Sequence, residues 1–221
     1  MDWSAFRLSI QLALGTLLVL LPVGLLLGRW LSKTPFRGRV WIEAAVLLPL
    51  VLPPTVMGYY LLVAVGGGSA VGQWLQSLGV SLTFNFSGLL LASVLFNIPF
   101  MVQPIQRAFE SIPHSLNEAA QVSGLSQWHI FLRIELPLAW PGILSALVLT
   151  FVHTLGEFGV VLMIGGNIPG ETRTLAIAIY DQVQAFNLAS ANRMSLVLLL
   201  FSMVAVAMSL ALSGRRGRRT T

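Results

Sequence analysis

Two residues in an otherwise apolar run are equipped for chemistry: His153 and Glu157, within Leu149-Thr-Phe-Val-His-Thr-Leu-Gly-Glu-Phe-Gly159. On a helix, residues i and i+4 share a face. A titratable pair in such surroundings either relays a proton or packs through hydrogen bonds, and the residue types leave both open. His114 and His129 lie elsewhere in the chain and cysteine is absent. This composition offers no thiolate nucleophile, no disulfide and no Cys-ligated or clustered-His metal site. The chain also lacks a Gly-x-x-x-x-Gly-Lys-Ser/Thr phosphate loop, so it is expected to hydrolyse no nucleotide itself. An enzyme is not predicted, nor a metal or cofactor in this chain.

The elements that must position His153 and Glu157 are set by a strongly apolar composition. Of 221 residues, 56% are hydrophobic and 10% charged, against roughly half and roughly a quarter in soluble domains. From Ala44 to Gln106 there is no Asp, Glu, Lys or Arg, a pattern that a bilayer selects. A helix crosses the hydrocarbon with about 20 residues at about 1.5 Å each. Five segments qualify: Leu8 to Leu31, Trp41 to Val65, Gly88 to Arg107, Leu138 to Ile164, and Met194 to Leu212. The first is too long for a signal-peptide core and has no small-residue cleavage pattern behind it, so it is read as a span. Residues 1–221 then form a single transmembrane domain.

The net charge of +5 does not point to nucleic acid, because the basic residues flank apolar runs instead of lining a polar face. Arg29, Lys33, Arg37 and Arg39 follow the first span, Arg107 and Arg133 the third, and Arg215, Arg216, Arg218 and Arg219 the fifth. The positive-inside rule puts these three connections in the cytoplasm. The uncharged Gly66 to Ser87 and the poorly basic Gly165 to Ala191 go outside. This predicts an N-terminus outside and a C-terminus inside. Pro49, Pro53 and Pro54 interrupt the second span, and Asn97, Pro99, Gln103 and Pro104 punctuate the third. Such helices kink; they either border a pathway or are bent packing helices.

The long polar loop Ser111 to Pro137 carries the densest pattern. Ser115 with Glu118 reads as a capping box, Gly124 as the stop, and Ser126 as the cap of a second helix running to Ile134. Leu116, Val122, Leu125, Trp128 and Phe131 are too apolar for a free loop. Either lipid headgroups or another protein must cover them.

Glu118-Ala119-Ala120, Gly124, Ile134 and Leu136-Pro137 resemble the EAA loop of permease subunits in binding-protein-dependent ABC importers. The resemblance implies an all-α integral membrane fold of five transmembrane helices with cytoplasmic coupling helices, the type I importer permease fold. It implies that Glu118, Ala119, Ala120, Gly124, Leu136 and Pro137 couple to a separate ATPase. It further implies a homodimer of permeases, two cytoplasmic ABC ATPase subunits that hold the ATP and Mg, an extracytoplasmic binding protein, and residence in the cytoplasmic membrane among its lipids. No nucleic acid is implied as a partner.

Leu47 to Tyr59, Leu155-Gly156-Glu157-Phe158-Gly159 and Asn167 to Thr174 are similar to the molybdate branch of those permeases. The Gly-Glu-Phe-Gly element is similar to sulfate and tungstate permeases too, which keeps those anions as alternatives. The span-interrupting Pro53 and Pro54, and the intramembrane Glu157 with Gly156 and Gly159 beside it, are the candidate pathway or gate residues. Glu171 and Arg173, outside, are candidates to receive the anion or the binding protein, with simple surface charges as the other reading. Some relatives carry an additional N-terminal span, for which this chain has no room. A carboxylate repels an oxyanion, so Glu157 is expected to act structurally or as a gate, partnered by Arg173, Arg193 or backbone, with Gly156 and Gly159 allowing close helix approach. Two different classes stay in play on the residues alone. An ion-gradient transporter would show inverted repeats, which are not found here, and a membrane scaffold would leave the loop pattern without a purpose.

Overall fold

A computed structural model describes the backbone of residues 1–217 and the side chains of 1–211, and every described element is helical. The charges of Arg215, Arg216, Arg218 and Arg219 therefore lie outside the described side chains. Helix α1 (Trp3–Lys33) starts where the Asp2 carboxylate accepts from the Ala5 N–H at 3.0 Å. Its buried stripe of Leu8, Leu12, Thr16, Leu20 and Leu31 faces the long helix Phe86–Glu110. Helices α2 (Arg39–Val51) and α3 (Pro54–Val65) follow, then α4 (Ala70–Ser77), capped by Ser69.

Helix α5 (Phe86–Glu110) is the axis of the molecule, with 56% of its apolar window buried. Leu20 of α1 and Met101, Ile105 and Phe109 of α5 share one core with Ala139, Ile143 and Ala146 of the later helix α8. The loop after α5 forms α6 (His114–Val122) and α7 (Gln127–Ile130). A π-helical turn over Phe131–Glu135 then leads directly into α8 (Leu136–Gly156). Helices α9 (Gly159–Gly165), α10 (Leu175–Gln184) and α11 (Leu188–Gly217) complete the chain. Only 11% of the apolar window of α11 is buried, so it is a peripheral helix packed on α8 and α10.

Among the described residues, four helices are individually long and apolar enough to cross a membrane, and the α2–α3 pair is a fifth candidate bent by 109°. The sequence led us to expect one kinked span over Trp41 to Val65. Pro53 and Pro54 instead divide it into two helices, since neither residue can donate to the preceding turn. The pair packs on two neighbours, α2 along α5 and α3 chiefly against α9. Arg39 and Glu43 meet Glu110 and Gln106, Val46 packs on Val102, and Met57, Leu61 and Val65 join Phe96 and Ala92.

Three expected boundaries move. The fourth span does not run to Ile164: its helix ends at Gly156, and the chain breaks at Glu157 and Phe158 before α9. The Ser115–Glu118 capping box does not form. Pro113, with its fixed φ of −57°, occupies the cap position, so Ser115 falls inside the first turn. The helix capped by Ser126 does not stop at Ile134, because the π turn joins it to α8. Within that turn the Leu136 N–H reaches back to the Phe131 carbonyl, a widening that accommodates the Pro137 ring against the carbonyl one turn earlier.

Candidate functional site

The two ends of the helix bundle carry different chemistry. At the loop end, α6 presents Glu118 and Ala119 outward while Ala120 is buried. Gly124 closes α6 with φ +77°, a conformation that favours glycine. The Ser126 hydroxyl accepts from the His129 N–H and caps the next turn as expected. Leu116, Val122, Leu125 and Trp128 are exposed, Val122 at 90%. An apolar surface of this kind on an ordered helical loop is one that a protein partner or the membrane covers. Leu136 turns away from it into the core shared by α1, α5 and α8. Pro137 stays exposed at the start of α8.

Behind that surface lie charges the sequence reading treated only as topology signals. The fully buried Glu135 carboxylate accepts from Arg29 Nε at 2.6 Å and pairs with the Lys33 ammonium. Arg39 bridges Glu43 at 2.8 Å and Glu110 at 2.6 Å, with Gln106 donating to both carboxylates. These pairs fasten α1 and α2 to α5 and α8.

The second site is a polar cluster inside the bundle. The Thr16 hydroxyl donates to Ser93 Oγ at 3.0 Å, and Ser93 Oγ donates to Glu157 Oε2 at 3.0 Å. Asn97 Nδ2 donates to the same oxygen at 3.2 Å. Asn97 Oδ1 meets His153 Nδ1 at 2.9 Å, which assigns the proton to Nδ1. The His153 ring stacks on Phe100 with centroids 3.8 Å apart. Glu157 Oε1 is buried and has no partner among the described residues.

The expected partners of Glu157 are thus replaced. Arg173 donates to Asn167 Oδ1 at 2.6 Å and lies 3.4 Å from Asp181, while Arg193 binds the Ala189 carbonyl and Ser190. Both are tied locally because each has a nearer acceptor outside the hydrocarbon. Nor do His153 and Glu157 touch across a shared helical face, since the break at Glu157 turns its backbone away and Asn97 bridges the two. Ser93, Thr16 and the bridging role of Asn97 escaped the sequence reading. The legible signal was that Ser93 and Asn97 in α5, like His153 and Glu157, are polar residues four apart in apolar runs.

The two chain breaks adjoin. A Cβ placed on Gly159 would lie 3.0 Å from Pro54 Cβ, so the glycine allows the α9 and α3 starts to meet. Gly156 has nothing within 4 Å at its Cβ position, so the close approach expected there is absent. On the outer loop, Glu171 is exposed in a turn whose N–H groups converge on the Ile168 carbonyl. It shares the loop with Arg173 but forms no hydrogen bond or salt bridge with it among the described residues.

An all-α bundle with a broken second span, an interrupted fourth and an ordered helical loop between the third and fourth is the fold of ABC importer membrane subunits. A bacterial ABC transporter for the acidic polysaccharide alginate superposes with a TM-score of 0.79, at 22% identity over 96% of this chain and 78% of that one. The inward-facing MetNI methionine ABC transporter gives 0.70, at 16% identity over 97% and 93%. The chain belongs to the family of binding-protein-dependent transport system inner membrane components, whose sequence pattern matches residues 21–218. It is therefore a multi-pass, non-catalytic permease component that works with an ATPase and a binding protein. Among its relatives, the molybdenum transport system permease protein ModB of Azotobacter vinelandii is 48% identical over 202 residues, 91% of this chain and 89% of that one. ModB of Haemophilus influenzae is 39% identical over 96% and 92%. The sulfate transport system permease protein CysT of Escherichia coli is 31% identical over 89% and 71%.

Proposed function

We propose that this chain forms, as a homodimer, the pathway by which an ABC importer brings molybdate into the cell, with its N-terminus outside and the α6 loop and C-terminus in the cytoplasm. The observation that carries the anion is the 48% identity to a molybdenum permease along nearly the whole of both chains, against 31% to a sulfate permease. The homodimer follows from size, since one five-span chain is too small to enclose a path. Glu118, Ala119, Ala120 and Gly124 seat α6 on the ATPase. Leu136 and Pro137 root the loop in α8, and the unbroken run from α7 through α8 carries the motion of a seated loop into the membrane. Sulfate and tungstate are the competing cargoes.

In the membrane, Pro53, Pro54, Gly159 and Glu157 form the gate region, with Gly156 at the exposed end of α8. Glu157 acts by holding α1, α5 and the α8–α9 break together, not by binding an oxyanion that its charge would repel. Glu171 and Arg173 belong to the face that receives the binding protein. Arg173 shapes the loop through Asn167 and Asp181, and Glu171 is the free contact.

The test is ATP hydrolysis by the permease reconstituted with its ATPase and with binding protein loaded with molybdate, tungstate or sulfate. Loaded binding protein is expected to stimulate hydrolysis, molybdate most strongly, and Glu118→Lys and Gly124→Trp are expected to abolish the stimulation while the complex still assembles. Wild-type stimulation in both variants would remove the coupling assignment. Glu157→Gln should assemble normally yet lose on the order of tenfold in import, the low end of what one well-placed buried contact controls; normal import would remove the gate role.

A further inference from the structure

At the loop end of α1 a groove of about 590 Å³ opens between that helix and the α7–π-turn segment. Leu25, Leu26, Trp30, Trp128 and Phe131 give it apolar walls, and Arg29 and Lys33 stand among them. Both cations lean on Glu135, so two positive charges are matched by one negative. Arg29 spends only its Nε on that carboxylate and lies over the Phe131 ring at 5.0 Å, and its two Nη groups have no hydrogen-bond partner among the described residues. The site thus holds one unit of uncompensated positive charge beside an apolar wall. Leu26, three residues before Arg29, is 72% exposed and continues that wall along the span toward the hydrocarbon.

We propose that this groove binds an anionic phospholipid, its phosphate between Arg29 and Lys33 and an acyl chain along Leu25 and Leu26. The chemistry matches at both ends: cations at the end of a span attract anionic headgroups, and exposed Trp30 and Trp128 are residues of the membrane interface. Of the exposed apolar residues of the loop, Trp128 lines the groove while Leu116, Val122, Leu125 and the α6 surface bearing Glu118 and Gln121 do not, so a lipid there shares Trp128 with the partner surface and leaves the rest of it uncovered. The proposal rests on the topology reading only for the leaflet, which is the cytoplasmic one.

The experiment is native mass spectrometry of the full-length permease in complex with its ATPase, offered phosphatidylglycerol or phosphatidylcholine with identical acyl chains. The wild type is expected to retain phosphatidylglycerol about fivefold better, the scale of one basic side chain at a lipid surface. Lys33→Gln, which leaves Arg29 and Glu135 as a neutral pair, should bring the two lipids level. Thr34→Glu, which cancels the excess charge at the groove wall, should do the same and decides the matter if Lys33→Gln does not assemble. Equal retention by the wild type, a preference that survives in the assembled variants, or exclusion of both lipids by a protein covering the groove overturns the proposal. Binding-protein-stimulated ATP hydrolysis of the same complex reports separately on the transport reading.

Discussion

Glu135 and Glu157 are both buried carboxylates, and their surroundings are opposite. Glu135 sits at the loop end of the bundle, where Arg29 and Lys33 satisfy both of its oxygens while their own side chains remain partly exposed. Glu157 sits within the bundle, where one oxygen takes neutral donors from Ser93 and Asn97 and the other takes none. Depth accounts for the difference. Long basic side chains reach a buried acid near the membrane surface and keep contact with water, whereas a cation deeper in the bundle would itself need solvation. The first carboxylate is a fastener between α1 and α8. The second meets no cation among the described residues, and its partners are the neutral donors Ser93 and Asn97 of α5.

The largest expected effect that tests this contrast is on Glu135. Glu135→Gln leaves Arg29 and Lys33 facing each other without their acid, and because both keep contact with water the cost should sit near about 3 kcal/mol, the low end for breaking a buried pair. At roughly 2–4 °C per kcal/mol for a chain of this size, thermal unfolding in detergent should begin on the order of 10 °C earlier. Asn97→Ala comes next: it strands His153 and removes a donor from Glu157, for a loss of about 1–3 kcal/mol. The smallest effect on stability belongs to Glu157→Gln, which keeps the shape, loses no cation partner and should stay within about 1 kcal/mol of wild type. Were Glu157→Gln as damaging to unfolding temperature as Glu135→Gln, both acids would be fasteners and the contrast would fail.

Much of this arrangement was legible because bilayer and helix impose simple periods. Charge-free runs gave the helices, the prolines marked where the second span breaks, and Gly124 and Ser126 marked real ends in the loop. Capping failed at Ser115 because Pro113, two residues upstream, starts the turn by fixing its own backbone, and a local pattern cannot show which of two competing starts prevails. The break at Glu157 was hidden for a related reason: Gly156-Glu157-Phe158-Gly159 contains no proline, and only tertiary contacts with α3 and α5 hold it open. The partners of Glu157 could not be read either, because they come from helices 60 and more positions away in the chain. Charge arithmetic favoured Arg173 and Arg193, but geometry gave those arginines nearer acceptors.

The π turn at Phe131–Glu135 also governs azimuth. A π turn houses one residue more than an α-helical turn, and one residue corresponds to about 100° around a helix axis. Deleting a single residue there would keep α8 in its membrane register but swing α6 roughly a quarter turn about that axis, carrying Glu118 to another side. The direction in which the loop faces is thus set by five residues that belong neither to the polar cluster nor to α6, and chains with identical spans could address differently placed sockets by gaining or losing one residue at this point.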